Sequence, residues 1–276
     1  MSRKAKIACA QMHAGEDREA NIAKAFRFMA EAKAAGAEVI CFPELFLEPF
    51  FPQYRCDMRY FDLAESIPGP TVERFQAKCR ELNLAAILNI YEKGEIEGIY
   101  YDTSPVIGAD GALLGSQRMM HVAEDDTENE RFYYKVGNNG FQIFRTANLT
   151  FGVGICYDRH FPEFMRIMAL KGAQAVFVAT ATGGIHKSPW FVEAQASSVF
   201  NGIFVIHANK VGKEGNLDFF GLSLATNPLG QVIGQASEDR EEVFLAELDL
   251  DLIRTARHNW PFMRDRRPEM YGDLLK

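Results

Sequence analysis

The chain has 276 residues, 47% of them hydrophobic and 24% charged, with a formal net charge of −7. That apolar content supports a large buried core. An acidic balance without a basic block excludes nucleic acid and anionic membranes as expected partners and leaves small molecules.

In chain order, Met1-Ser2-Arg3-Lys4-Ala5-Lys6 runs straight into a strand expected over 6–12, without the apolar region and small-residue cleavage site of a signal peptide. No run is long enough to span a bilayer. Residues 17–35 place apolar side chains at helical spacing and end at Gly36. A β-prone run over 37–42 then stops at Pro43-Glu44, completing a β-α-β unit. A helix is expected over 71–82, with strands over 85–91, 99–107 and 113–121, the last two joined by the turn Ala109-Asp110-Gly111. A second β-α-β unit follows: a strand over 150–156, a helix over 162–171 opened by Pro162, and a strand over 175–179. Beyond it come a helix over 189–200 and strands over 203–209, 220–226, 232–235 and 243–248. Continuously apolar strands interleaved with helices and hairpins predict a mixed sheet covered by helices, a layered α/β fold. No linker composition divides the chain, so residues 1–276 are expected to form one domain. Residues 250–276, rich in Arg, Pro and aromatics, read poorly as an independent element and are expected to pack on a neighbouring subunit.

The five cysteines, Cys9, Cys41, Cys56, Cys79 and Cys156, are odd in number and form no Cys-x-x-Cys pair. Neither a disulfide framework nor a zinc site is expected, and a reducing cytoplasm fits. There is no dinucleotide fingerprint, phosphate loop or metal-binding helix, so no cofactor and no metal are expected.

Two residues stand out chemically. Cys156 ends the apolar run Phe151-Gly152-Val153-Gly154-Ile155 and lies just before the Pro162-Glu163 helix start. A strand-to-helix turn of this kind exposes a thiol beside backbone N–H groups that stabilise a thiolate. Glu44 sits in Cys41-Phe42-Pro43-Glu44-Leu45-Phe46-Leu47. Burying a carboxylate among so much apolar surface is costly and raises its pKa toward the range useful for a general base.

Together with Arg118-x-x-His121, Glu130-Arg131-Phe132-Tyr133, Phe161-Pro162-Glu163, Asn209-Lys210-Val211-Gly212, Phe220-Gly221-x-Ser223 and Pro228-Leu229-Gly230, these segments resemble the carbon–nitrogen hydrolase family, the nitrilase superfamily, over nearly the whole chain. The resemblance implies an α-β-β-α sandwich with mixed β-sheets that assembles as a homodimer or larger homo-oligomer. It also implies a Glu-Lys-Cys set in which the glutamate takes the thiol proton, the cysteine forms a thioester and water completes hydrolysis.

Glu44 and Cys156 match that set, but the lysine does not. In the family it follows the arginine directly, and here Met119 stands in its place. Methionine supplies neither charge nor donor to a developing oxyanion, and loss of one such donor costs about 3–4 kcal/mol. Met119 leaves three explanations: a deliberate change, a natural enzyme with altered chemistry, or a protein that binds without turnover. On a strand, Arg118 faces away from Met119 whereas His121 shares its face, so His121 is a candidate donor or, alternatively, a structural partner. Glu130 matches a second glutamate held near the nucleophile. Glu124, Asp125, Asp126 and Glu128 read as a solvated loop.

Cys156-Tyr157-Asp158, with the tail from Arg264 to Gly272, resembles the N-carbamoyl branch: β-ureidopropionase, N-carbamoylputrescine amidase and N-carbamoyl-amino-acid amidohydrolases. Some of these bind a substrate carboxylate through an arginine placed like Arg159. A guanidinium fork suits that task, while an ion pair with Asp158 or Glu163 is the structural alternative. The expected activity is thus hydrolysis of an N-carbamoyl amine or amino acid. The alternatives are a silent binding or assembly protein and an amidase or nitrilase of another substrate class.

Overall fold

The computed structural model describes residues 3–276. Its elements are β1 (Lys4–Gln11), α1 (Arg18–Ala34), β2 (Val39–Cys41), α2 (Pro70–Leu82), β3 (Ala85–Ile87), β4 (Ile90–Lys93), β5 (Tyr100–Ile107), β6 (Leu113–Arg118), α3 (Glu130–Tyr133), β7 (Ile143–Arg145) and β8 (Thr150–Ile155). They continue with α4 (Pro162–Leu170), β9 (Ala175–Thr180), α5 (Lys187–Asn201), β10 (Phe204–Asn209), β11 (Val211–Glu214), β12 (Leu217–Phe220), β13 (Leu224–Thr226), β14 (Val232–Gln235), β15 (Glu242–Asp249) and α6 (Asp251–Asn259). Local chemistry explains the helix ends. Asp17 caps α1 by accepting from the N–H groups of Glu19 and Ala20, and Pro70 and Pro162 occupy the first turns of α2 and α4.

Both predicted β-α-β units form, one in each of two sheets. β1 pairs parallel with β2 in a seven-stranded sheet ordered β15-β1-β2-β3-β5-β4, with β6 also on β5. β8 pairs parallel with β9 in a six-stranded sheet ordered β14-β13-β10-β9-β8-β7. Strand alternation then builds the layers. Ile7 and Cys9 of β1 meet Phe151, Val153, Phe177 and Phe204 between the sheets. Ala8 and Ala10 instead join Ile22, Phe28 and Phe75 of α1 and α2, while Val176 and Val178 join Phe164, Met168 and Trp190 of α4 and α5. The result is the expected α-β-β-α sandwich. Among the described residues no helix is long and apolar enough to cross a membrane.

Four expectations need correction. The strand foreseen over 85–91 is two, β3 and β4, which pair separately with β5. The strand foreseen over 113–121 stops at Arg118, whose guanidinium pairs with Glu92 at 2.5 Å and lies 3.8 Å from the Tyr101 ring centre. Beyond it the N–H groups of Met120 and His121 point to the Asp158 carboxylate, so His121 shares no strand face with Met119. The strand foreseen over 220–226 is two strands. β12 folds back on β11 through Gly215-Asn216, a two-residue hairpin turn made possible by positive φ at Gly215, and β13 begins after Leu222. Finally, the tail, which reads poorly as an independent element, begins with the helix α6.

Candidate active site

β2 of one sheet and β9, the parallel neighbour of β8 in the other, end together, joined by the Glu44 N–H and the Thr180 carbonyl, and the site lies beyond these carboxyl ends. At the first residue after β8 the backbone turns sharply: Cys156 has φ of 37°, a left-handed conformation that non-glycine residues adopt only where their surroundings impose it. Two features impose it. Gly154 lets the Phe164 ring of α4 approach so closely that a Cβ there would meet it at 2.9 Å. The fully buried carboxylate of Asp158 accepts from the Ile155 N–H at 3.1 Å, closing the turn.

Glu44 follows β2, wholly buried. Its N–H bonds to the Thr180 carbonyl, and its Oε2 accepts from the Ala181 N–H at 2.9 Å. Ala181 itself lies buried in the same cluster as Cys156, and its N–H favours the thiolate there. Leu45, at positive φ, donates to Asn89 Oδ1 at 2.7 Å, and Asn89 in turn donates to Asp102 at 2.6 Å. Burial first, then the neighbouring Cys156 and Asp102, push the Glu44 carboxyl well above the usual range. Burial pushes Asp102 up to about 7 and the Cys156 thiol up to about 11. At rest the nucleophile is therefore a thiol that needs a base.

Met119 is buried in the same apolar cluster as Cys156, Leu45, Tyr91 and Tyr134. Glu130 is wholly buried nearby, with Oε2 accepting from the Ala123 N–H at 2.8 Å. Around this cluster Glu44 Oε1, Asp102 Oδ2, Glu130 Oε1 and the Tyr134 hydroxyl are all buried without a hydrogen-bond partner. Unmatched oxygens at this density are expensive, and a methionine offers them nothing.

The remaining candidates separate. His121 Nδ1 lies 2.8 Å from Asp158, and its ring stacks on Phe161 at 3.7 Å, so it braces the turn. Arg159 pairs with neither Asp158 nor Glu163. Its Nη1 donates to the Cys156 carbonyl at 2.8 Å and lies 3.6 Å from Sγ, while Nε faces Glu193 at 3.4 Å. Glu128, foreseen in solvent with its acidic neighbours, is half-buried. Burial and Asp125 push its carboxyl up to about 7, while Arg159 pulls the other way. Sequence reasoning missed Asp102, although an acid inside the β-prone run Tyr100-Tyr101-Asp102-Thr103-Ser104 was a signal. Nothing in the sequence pointed to Glu193, or to Thr182, whose hydroxyl lies 3.9 Å from Sγ.

Residues 6–258 match the model of the family described as carbon-nitrogen hydrolase. The chain belongs to the carbon–nitrogen hydrolase family. It is 34% identical to an N-carbamoylputrescine amidase of Solanum lycopersicum, over 98% of this chain and 94% of the relative. It is 29% identical to a citrullinase of Francisella tularensis subsp. tularensis, over 98% of each. A carbon–nitrogen hydrolase from Helicobacter pylori G27 has the same fold, with a TM-score of 0.93 over 100% of this chain and 99% of that one, at 29% identity. This hydrolase therefore acts on carbon–nitrogen bonds other than peptide bonds, in the N-carbamoyl amidase branch of the nitrilase superfamily.

Proposed function

We propose that the enzyme hydrolyses an N-carbamoyl amine or N-carbamoyl amino acid through an acyl intermediate on Cys156, with Glu44 as base. The observation that carries this reading is the Ala181 N–H, which holds the buried Glu44 carboxylate at 2.9 Å while Ala181 packs in the same buried cluster as Cys156. It holds a carboxylate beside a thiol that is too weakly acidic to ionise alone. Glu44 takes the Sγ proton as sulfur adds to the carbonyl carbon. The tetrahedral intermediate collapses as its C–N bond breaks, and the proton held by Glu44 leaves with the amine. Water then adds to the acyl carbon as Glu44 takes its proton, the C–S bond breaks to free the acyl group, and the proton on Glu44 returns to the Cys156 sulfur. Glu130 lies where it can support Glu44 or place the substrate.

The relatives favour carbamoyl substrates, and ammonia release from N-carbamoylputrescine, 3-ureidopropionate and citrulline tests the reading. Turnover of at least one, lost in Cys156→Ala, supports it. Turnover of simple amides alone moves the enzyme to another substrate class. A second reading, a silent scaffold, is favoured by buried Met119 in the lysine position. Intact-mass measurement separates the two, because a mass adduct on Cys156 requires acylation and its absence with every substrate supports the silent reading.

We also propose that residues 250–276 cover a neighbouring subunit within a single-domain homo-oligomer. Trp260, Phe262, Met270, Tyr271, Leu274 and Leu275 are exposed here, a density of apolar side chains that favours burial by a partner. Light scattering on a chain truncated after Asn259 tests it: a smaller assembly supports the proposal and an unchanged one refutes it. Five free cysteines favour a reducing cytoplasm.

A further inference from the structure

Two buried cations stand near the site, and they differ in how their charge is used. Lys210 Nζ is committed to Glu214 Oε2 and the Glu48 carbonyl, each at 2.8 Å. Arg159 has donors to spare. One Nη1 hydrogen serves the Cys156 carbonyl, which leaves the second for the sulfur 3.6 Å away. Nε has no hydrogen bond, although Glu193 stands 3.4 Å off, and the guanidinium carbon lies 5.5 Å from the centre of the Trp190 ring.

We propose that Arg159 is a catalytic residue, supplying through Nη1 the cation that Met119 cannot, first to the Cys156 thiolate and then to the oxyanion of the tetrahedral intermediate. This rests on the proposed hydrolysis through Cys156. The oxyanion is borne on the carbon bonded to Sγ and so forms within about 3 Å of the sulfur, on the same short arc that the Nη1 donor of Arg159 can serve. As the S–C bond forms, the carbonyl π pair moves to oxygen, where the guanidinium meets it. As the C–N bond breaks, the pair returns and the amine leaves with the proton from Glu44. Among the charged groups facing the thiol, Glu44, Glu128 and Glu130 oppose its ionisation, and Arg159 favours it. Burial carries a guanidinium's charge better than an ammonium's, which suits a site walled by Trp190 and Ile155.

The rival role, a clamp on a substrate carboxylate, makes different demands. Such a clamp affects KM for carboxylated substrates only; a catalytic cation affects kcat for every substrate and the thiol itself. The test compares the wild type with Arg159→Gln, Arg159→Lys, Met119→Lys and the double variant Met119→Lys/Arg159→Gln. The pH dependence of Cys156 alkylation by iodoacetamide, followed by peptide mass, needs no substrate. Arg159→Gln is expected to move its midpoint up by about one pH unit or more. It should lower kcat about 100- to 1000-fold on carbamoyl amines and carbamoyl amino acids alike. Met119→Lys should restore most of that loss in the double variant, because it returns a cation to the site. An unchanged alkylation midpoint in folded Arg159→Gln overturns the proposal, as does a loss confined to KM for carboxylated substrates. Should Arg159→Gln not fold, Arg159→Met replaces it, with an upward shift expected and no shift overturning the idea, while Arg159→Lys keeps the charge and should stay nearer the wild type. If wild-type enzyme releases no ammonia from any carbamoyl compound while the midpoint still moves, the substrate reading fails and the pairing of Arg159 with the thiol stands.

Discussion

Asp158 and His121 are joined twice, through the His121 N–H at 3.0 Å and through its Nδ1 at 2.8 Å. The same carboxylate accepts from the Ile155 N–H at 3.1 Å and the Met120 N–H at 3.2 Å. It thereby fastens the turn carrying Cys156 to the segment carrying Met119. Asp158→Asn replaces one acceptor with an amide that faces N–H donors. The expected loss is about 2–4 kcal/mol of stability, measured by urea unfolding, because buried donors are left unpaired. Activity should fall further than stability accounts for, since the nucleophile turn loosens. A loss under about 0.5 kcal/mol means that the carboxylate is not the clasp.

Asp102 titrates at about 7 rather than near 3.8, because burial penalises its charged form more than its interactions with Glu44 and Asn89 favour it. A carboxyl whose pKa is raised on folding contributes stability that is complete below its unfolded pKa and disappears as pH climbs to the folded value. The wild type should lose up to about 4 kcal/mol through this group between about pH 4 and pH 7. Asp102→Asn does not titrate. Its Tm relative to wild type should therefore rise between pH 4 and pH 8, and an equal difference at both pH values excludes the raised pKa. The amide can also donate to Glu44, which lowers the base's pKa and carries the acidic limb of kcat/KM to lower pH.

The helices and most of the strands were legible because alternation and helical spacing are local, whereas the two-sheet sandwich was implied by the family resemblance. The two parallel units follow from apolar runs that end at Pro43-Glu44 and at Cys156, and those ends also locate the site. What stayed hidden depends on long-range partners. Glu193 on α5 reaches Arg159 across a gap in sequence that no periodicity encodes, and Glu128 is buried by the neighbours it meets rather than by its own segment. The end of β6 at Arg118 was equally invisible, since it is set by Asp158 taking N–H groups that would otherwise continue the ladder.

Glu193 touches two residues of the nucleophile turn, Arg159 Nε at 3.4 Å and His160 Nδ1 at 2.6 Å. Its expected role is to position them. Glu193→Ala leaves a buried guanidinium without its counter-charge, which should cost about 1–3 kcal/mol, less than a fully buried pair because Glu193 is half-exposed to solvent. Urea unfolding checks the stability. The kinetic signature is a fall in kcat with KM little changed, and a KM effect alone would place Glu193 against substrate instead.

Glu128 offers the opposite perturbation. Its negative charge is the largest of the carboxylate influences that raise the Cys156 pKa, and it is present only where Glu128 is ionised, above about pH 7. Glu128→Gln removes that charge at all pH values, so the thiol should ionise more readily. Alkylation of Cys156 should be unchanged at pH 6, where the wild-type carboxyl is largely protonated, and faster than wild type at pH 9. Stability should follow the same axis. A raised carboxyl loses its stabilising protonation between its ordinary value of 4.5 and about 7, so Glu128→Gln should gain in Tm against wild type over that window. An alkylation rate equal to wild type at both pH values means that the charge does not reach the sulfur. A rate difference that persists at pH 6 means that Glu128 ionises in the ordinary carboxylate range and is not held up by burial.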